Sequence, residues 1–191
     1  MSVGLNEQDA FFALGVAPVG VTDWMGFEHG IGPWAETAAK AAGDPPELLT
    51  NTDGIRFEKI AALRPDGPDD PRSRLLTDLG FELSTEISEL FVKDYAGVIS
   101  EEQVQLLDLD AVAWFATDDE ARKLERNRVY TSLDVHEEGR DFVVLDSRPD
   151  DAYNAVGAQT VLSMPLALDV LVPALAAAVD GDPATVPLAK D

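Results

Sequence analysis

TNTDGIRFEKIAALRPDGPDDPRSRLLTDLGF, residues 50–81, decides how the chain is read. Its periodicity predicts two short helices, over residues 57–63 and 72–79, the first stopped by Pro65 and the second closed by Gly80. Between them lies a connection rich in proline, aspartate and glycine, RPDGPDDPR. The chain differs in character on either side. Before the joint, three apolar runs punctuated by glycine and proline hold Trp24 and Trp34. After it, longer helical patterns alternate with strand-like runs, and the third tryptophan, Trp114, lies in one of them.

Composition sets the outer limits. The chain has 191 residues and is 46% hydrophobic, enough to bury a real core in one ordinary domain or two small lobes. Its 36 acidic residues outnumber 14 basic ones, giving a net charge of −22, which would repel a phosphate backbone or an anionic membrane surface. No nucleic-acid partner is expected. The acids are spread along the chain and not gathered in a tail, so they read as a solvated surface. There is no cysteine, so neither disulfides nor a thiolate metal site can form within it, and no lipid-anchored amino-terminal cysteine is expected. The opening residues, MSVGLNEQDAFF, show no basic region followed by a long apolar run, and a cytoplasmic protein is expected. The most apolar stretch, residues 158–179, carries Asp169, Pro165 and Pro173. It reads as a broken, buried helix pair and not as a membrane span.

In chain order, residues 3–5 read as an edge strand and Asn6 as the cap of a helix over residues 9–14, closed by Gly15. Residues 17–21 form a continuous apolar run of the parallel-strand type, followed by a glycine- and aromatic-rich loop over 22–34. A helix over 35–42 precedes a segment, 48–50, that is readable as helix or as extended chain. Beyond the joint, strands are expected at 81–83, 111–116 and 141–145. Helices are expected at 86–92, at 101–107 behind a capping box on Ser100 and Gln103, and from 118 behind a second box on Thr117 and Glu120. The remainder reads as helix with proline breaks. Alternating strands and helices make the class α/β, with a mostly parallel sheet and helices on both faces.

Several runs, in order, resemble one family: NEQDAFFALGVAPVGVTDW, NTDGIRFEKIAALRPD, RLLTDLGFE, LSMPLALDVLVPALAAA and the closing GDPAT. They resemble the iron-siderophore substrate-binding proteins of ABC importers, the ferric-dicitrate-like branch above all. The resemblance implies a class III periplasmic-binding-protein-like fold. In that family the I-A-A-L-x-P-D segment leads into another strand, the rest of the first lobe and a long helix linking two lobes. Here Asp66 passes almost directly to DDPRSRLLTDLGFE, which resembles a carboxy-lobe segment. The chain therefore reads as an internally shortened relative. Residues 1–66 would be the remnant of the amino-terminal lobe and 67–191 the carboxy-terminal lobe, separate or merged into one compact domain. Lost strands would bare a sheet edge, and covering it favours a homodimer.

Mapped by position, the resemblance implies ligand contacts at Asn6, Glu7 and Gln8, at Trp24, Met25 and Trp34 in the loop, around Trp114, and at Tyr153. Aromatic walls with a few polar groups suit an apolar or aromatic small molecule, a ferric siderophore by family analogy. Trp24 and Trp34 read equally well as plugs of a core, and Trp114, inside an apolar strand, reads as core. Arg56, Arg72 and Arg74 could locally offset the negative field, though they read first as surface arginines. His29 and His136 are the only histidines and lack a metal-ligand spacing, so no protein-held metal and no cofactor are expected. The loop also groups Asp23, Glu28 and His29, an acid–base set. That set supports an alternative: a cytosolic biosynthetic enzyme, a cofactor-independent cyclase or acid–base catalyst on an apolar intermediate, recruited from the same fold.

Overall fold

A computed structural model of the chain describes residues 5–17, 20–21, 27, 31–43, 47–48, 71–89, 99–182, 184–185 and 187. The predicted helix at 57–63, Arg56, and most of the RPDGPDDPR joint lie outside the described residues. So do Asp23, Trp24, Met25, Glu28 and His29. The chain forms two compact units, Met1–Lys59 with Asn154–Leu168, and Ile60–Tyr153 with Asp169–Asp191. Each holds a two-stranded parallel sheet among the described residues, and the class is α/β.

In the first unit, helix α1 spans Leu5–Ala13. It starts before the expected cap: no proline or glycine intervenes between Leu5 and Asp9, and the acid Glu7 in the first turn suits the positive helix end. Asn6 is therefore an exposed first-turn residue and not a cap, and Leu5 is helical, not extended. Strand β1 (Gly20–Val21) pairs in parallel with β2 (Glu47–Leu48), so the ambiguous segment before the joint begins extended. Between them a 3-10 turn, Pro33–Ala35, leads into α2 (Glu36–Ala42). Phe12, Ala35 and Ala39 form the core here, with Ile31, Trp34 and Leu162 packed against it.

The second unit opens with α3 (Pro71–Asp78) and α4 (Thr85–Glu89). Residues 81–83, expected as a strand, are not one, and the cause lies in how α3 ends. Gly80 has φ +98°, its N–H donates to the Thr77 carbonyl at 3.0 Å, and Phe81 N–H donates to Leu76 at 3.1 Å. This is a Schellman closure, and it commits to the helix the N–H with which a strand would begin. After α4 come a 3-10 helix, Glu101–Leu107, behind the Ser100–Gln103 box, and strand β3 (Val112–Ala116). The Thr117–Glu120 box then starts α5 (Asp118–Arg126). A short turn and α6 (Asp134–Glu137) lead to β4 (Asp141–Leu145). β3 and β4 are parallel, with Val112 opposite Asp141 and Ala116 opposite Leu145.

Burial alternates out of phase along the two strands, on Val112, Trp114 and Ala116 of β3 but on Phe142 and Val144 of β4. Because register partners share a face, both faces of the ribbon are covered. One face packs Val112 and Trp114 with Leu107, Leu124, Tyr130, Leu133 and Val135.

The carboxy-terminal helices are α7 (Ala152–Ala158) and α8 (Ser163–Ala178). The break between them falls at residues 159–162 and not at a proline. Pro165 sits in the first turn of α8, where an N–H is not needed, and α8 runs through Pro173. Pro173 and Asp169, whose carbonyl loses its partner, are both exposed, so water can take that carbonyl. The opposite face of α8 is closed, with Ala167, Leu171, Ala174 and Ala178 all buried. No single helix among the described residues is long and apolar enough to cross a membrane.

Candidate functional site

The expected site residues of the first unit separate. Gln8 and Asp9 are fully buried on α1, whereas Asn6 is exposed, so this turn does not present one ligand-facing surface. The side chain of Glu7 lies outside the described residues. Asp9 is the hub. Its Oδ2 accepts from the Trp34 indole N–H at 2.8 Å and from the Thr160 hydroxyl. Its Oδ1 is buried and accepts no hydrogen bond among the described residues. Burial pushes the Asp9 carboxyl above the usual aspartate range, against the pull of its bonds from Thr160 and Trp34.

Thr160 and Ser163 cap each other reciprocally. Thr160 N–H donates to Ser163 Oγ at 2.9 Å and Ser163 N–H donates to Thr160 Oγ1 at 3.0 Å. Asp9 thus fixes the start of α8 and the Trp34 turn against α1. Trp34 meets Phe27 edge to face, with centroids 5.4 Å apart, and its ring lies over Gly32, where an added Cβ would stand 2.4 Å from Cζ2. Its only donor is committed to Asp9, so a ligand could use only the indole faces.

In the second unit Trp114 belongs to a buried polar chain. Its Nε1 donates to the Tyr130 hydroxyl at 2.8 Å, with the rings edge to face at 5.6 Å. Tyr130 in turn donates to Asp141 Oδ2, and His136 Nδ1 meets the same oxygen at 2.8 Å. Burial, then the bond to Asp141 and its charge, push the Tyr130 phenol far above its usual range. Asp141 is placed by the turn before it: Gly139, at φ +68°, and Arg140 close α6 onto His136 and Val135, as Gly80 and Phe81 close α3. Asp141 opens β4, so this network sits at the amino end of the strands. Ligands of open α/β sheets collect at the other end.

Tyr153 is at that carboxyl end, and the structure gives it a partner that spacing alone did not reveal. The Arg72 guanidinium carbon lies 5.4 Å from the Tyr153 ring centroid and 5.6 Å from that of Phe115, the penultimate residue of β3. A cation within about 6 Å of two rings is held by both quadrupoles. The loop after β4 is braced nearby in sequence by Arg148, which grips both carboxylate oxygens of Asp150, at 3.0 and 2.5 Å, and holds that carboxyl below the usual range. The residue types of this cluster were visible in the sequence. That Arg72, Phe115 and Tyr153 converge was not, because they come from three separate elements. Among the described residues no three histidine or carboxylate side chains could hold a metal ion together.

No family model and no curated protein sequence matches the chain. Solved structures do: the chain shares its fold with the substrate-binding proteins of ABC transporters for iron uptake. One is PiaA of Streptococcus pneumoniae TIGR4, at 15% identity and TM-score 0.68, the match covering 94% of this chain and 92% of that one. The same protein in complex with ferrichrome matches with TM-score 0.71 over the same shares. A periplasmic solute-binding protein of Mycobacterium smegmatis str. MC2 155 is 20% identical, with TM-score 0.50, over 94% of this chain and 93% of that one.

Proposed function

We propose that the chain is a small-molecule binding protein whose ligand is a ferric siderophore of the hydroxamate class. The observation that carries this reading is the likeness in fold to PiaA bound to ferrichrome, which extends over 94% of the chain. The Arg72–Phe115–Tyr153 cluster supports it, since it places aromatic faces and a cation at the carboxyl end of the β3–β4 sheet. The net charge of −22 favours a neutral or cationic chelate over an anionic one such as ferric dicitrate.

Titration with ferrichrome, followed by tryptophan fluorescence, should give saturable quenching. Tyr153→Ala should raise Kd by about tenfold, the loss of one aromatic contact worth about 1.4 kcal/mol. Absence of a saturable response to ferrichrome, to other ferric hydroxamates and to haem would remove the proposal.

A further inference from the structure

The phase of the β3–β4 ladder turns one edge of β3 away from β4, and among the described residues no strand lies along that edge. Val112 N–H donates to the Arg140 carbonyl at 3.0 Å and Asp146 N–H donates to the Ala116 carbonyl at 3.0 Å. In a parallel pair alternate residues address the neighbouring strand. Val112, Trp114 and Ala116 therefore direct their backbone groups to β4, and Ala113 and Phe115 direct theirs to the opposite edge. No described strand pairs there. That edge borders a cavity of about 130 Å³, walled by Leu76 of α3, Ile87 of α4, and Leu83 and Leu107. Arg72 is the one charged side chain among the described residues that line it, in a chain of net charge −22.

We propose that this cavity binds short, extended peptide-like acids: N-acylated apolar amino acids or small peptides with a free terminal carboxylate. An extended amide is the group that matches the N–H and C=O of a strand edge. Arg72 stands beside Phe115, at the carboxyl end of β3, where a segment laid parallel to the strand would bring its own carboxyl terminus. The volume is close to that of a cavity able to hold benzene, so one leucine- or phenylalanine-sized side chain fits. This inference does not depend on siderophore binding.

Calorimetry on the full chain with N-acetyl-alanyl-phenylalanine should show one saturable site, and the carboxamide of the same dipeptide should bind at least tenfold more weakly. Arg72→Gln should abolish the preference for the acid. Ala113→Pro, which removes an edge N–H, should weaken both ligands. Should Ala113→Pro fail to fold, as read by its melting curve, Ile87→Trp fills the cavity and should abolish binding instead. Absence of binding, equal affinity for acid and amide, or unaltered affinity in folded Arg72→Gln and Ile87→Trp would overturn the proposal. So would a dimer in sedimentation that Ala113→Pro dissociates, because the edge would then be an interface between copies.

Discussion

Replacing Tyr130 with phenylalanine removes one oxygen from the middle of the Trp114–Tyr130–Asp141–His136 chain, and its cost follows from the partners left behind. Trp114, only 7% exposed, would keep a buried indole N–H with no acceptor, a loss of about 1–3 kcal/mol. Asp141 would lose a donor, but His136 still meets the same oxygen at 2.8 Å, so this second loss falls near the low end of about 1.5–3 kcal/mol for a bond to a charged group. The two losses share a network and do not simply add, and a total of about 2–4 kcal/mol is expected. Urea unfolding should show a lower midpoint at unchanged slope.

A second readout separates this account from simple loss of packing. The folded phenol holds its proton above its ordinary value of 10.0, so wild type has the full stability of that group below pH 10. It loses that stability as pH rises through the folded value, by up to about 1.4 kcal/mol per pH unit, because only the unfolded chain then ionises. The gap between wild type and Tyr130→Phe should therefore narrow above pH 10. A variant within about 0.5 kcal/mol of wild type, or a gap independent of alkaline pH, would refute the reasoning.

Asp9→Asn tests the buried carboxyl of the first unit. Its raised pKa means that Asp9 favours the folded state below its ordinary value of 3.8 and loses that advantage as pH rises through the folded value. Wild type should thus weaken relative to Asp9→Asn across that window, by at most about 1.4 kcal/mol per pH unit, and a flat difference in urea titrations would contradict it. Gly32→Ala would set a Cβ 2.4 Å from the Trp34 ring, so the indole must move and its bond to Asp9 must break. The Trp34 indole N–H resonance should shift, and an unmoved signal would disprove the contact. Leu171→Ala opens a hole on the closed face of α8, where Leu171 has 0% exposure, and should cost about 2–5 kcal/mol in chemical denaturation.

Much of the second unit can be read from its sequence because the signals are local. The run DFVVL is β4 to the residue, and the Thr117–Glu120 box starts α5 where the motif predicts. Glycine at positions 15 and 80 marks the ends of α1 and α3 because only a left-handed residue closes those turns. Phe81 looks like the start of a strand by composition, but its N–H is already committed to Leu76. The break before α8 looks like the work of proline, yet it follows from Thr160 and Ser163 capping each other.

By itself, then, the sequence determined most of the elements: an α/β chain, the capping boxes of two helices, and an order of motifs resembling one family of binding proteins. Only the tertiary structure decided which distant groups meet. Thr160 reaches Asp9 across 151 positions of sequence, and Arg72 lies within reach of both Phe115 and Tyr153. Neither meeting leaves a local mark. Hydrogen bonding to the chain's own backbone depends on near neighbours, whereas burial of a carboxylate or a guanidinium depends on which remote elements close over it.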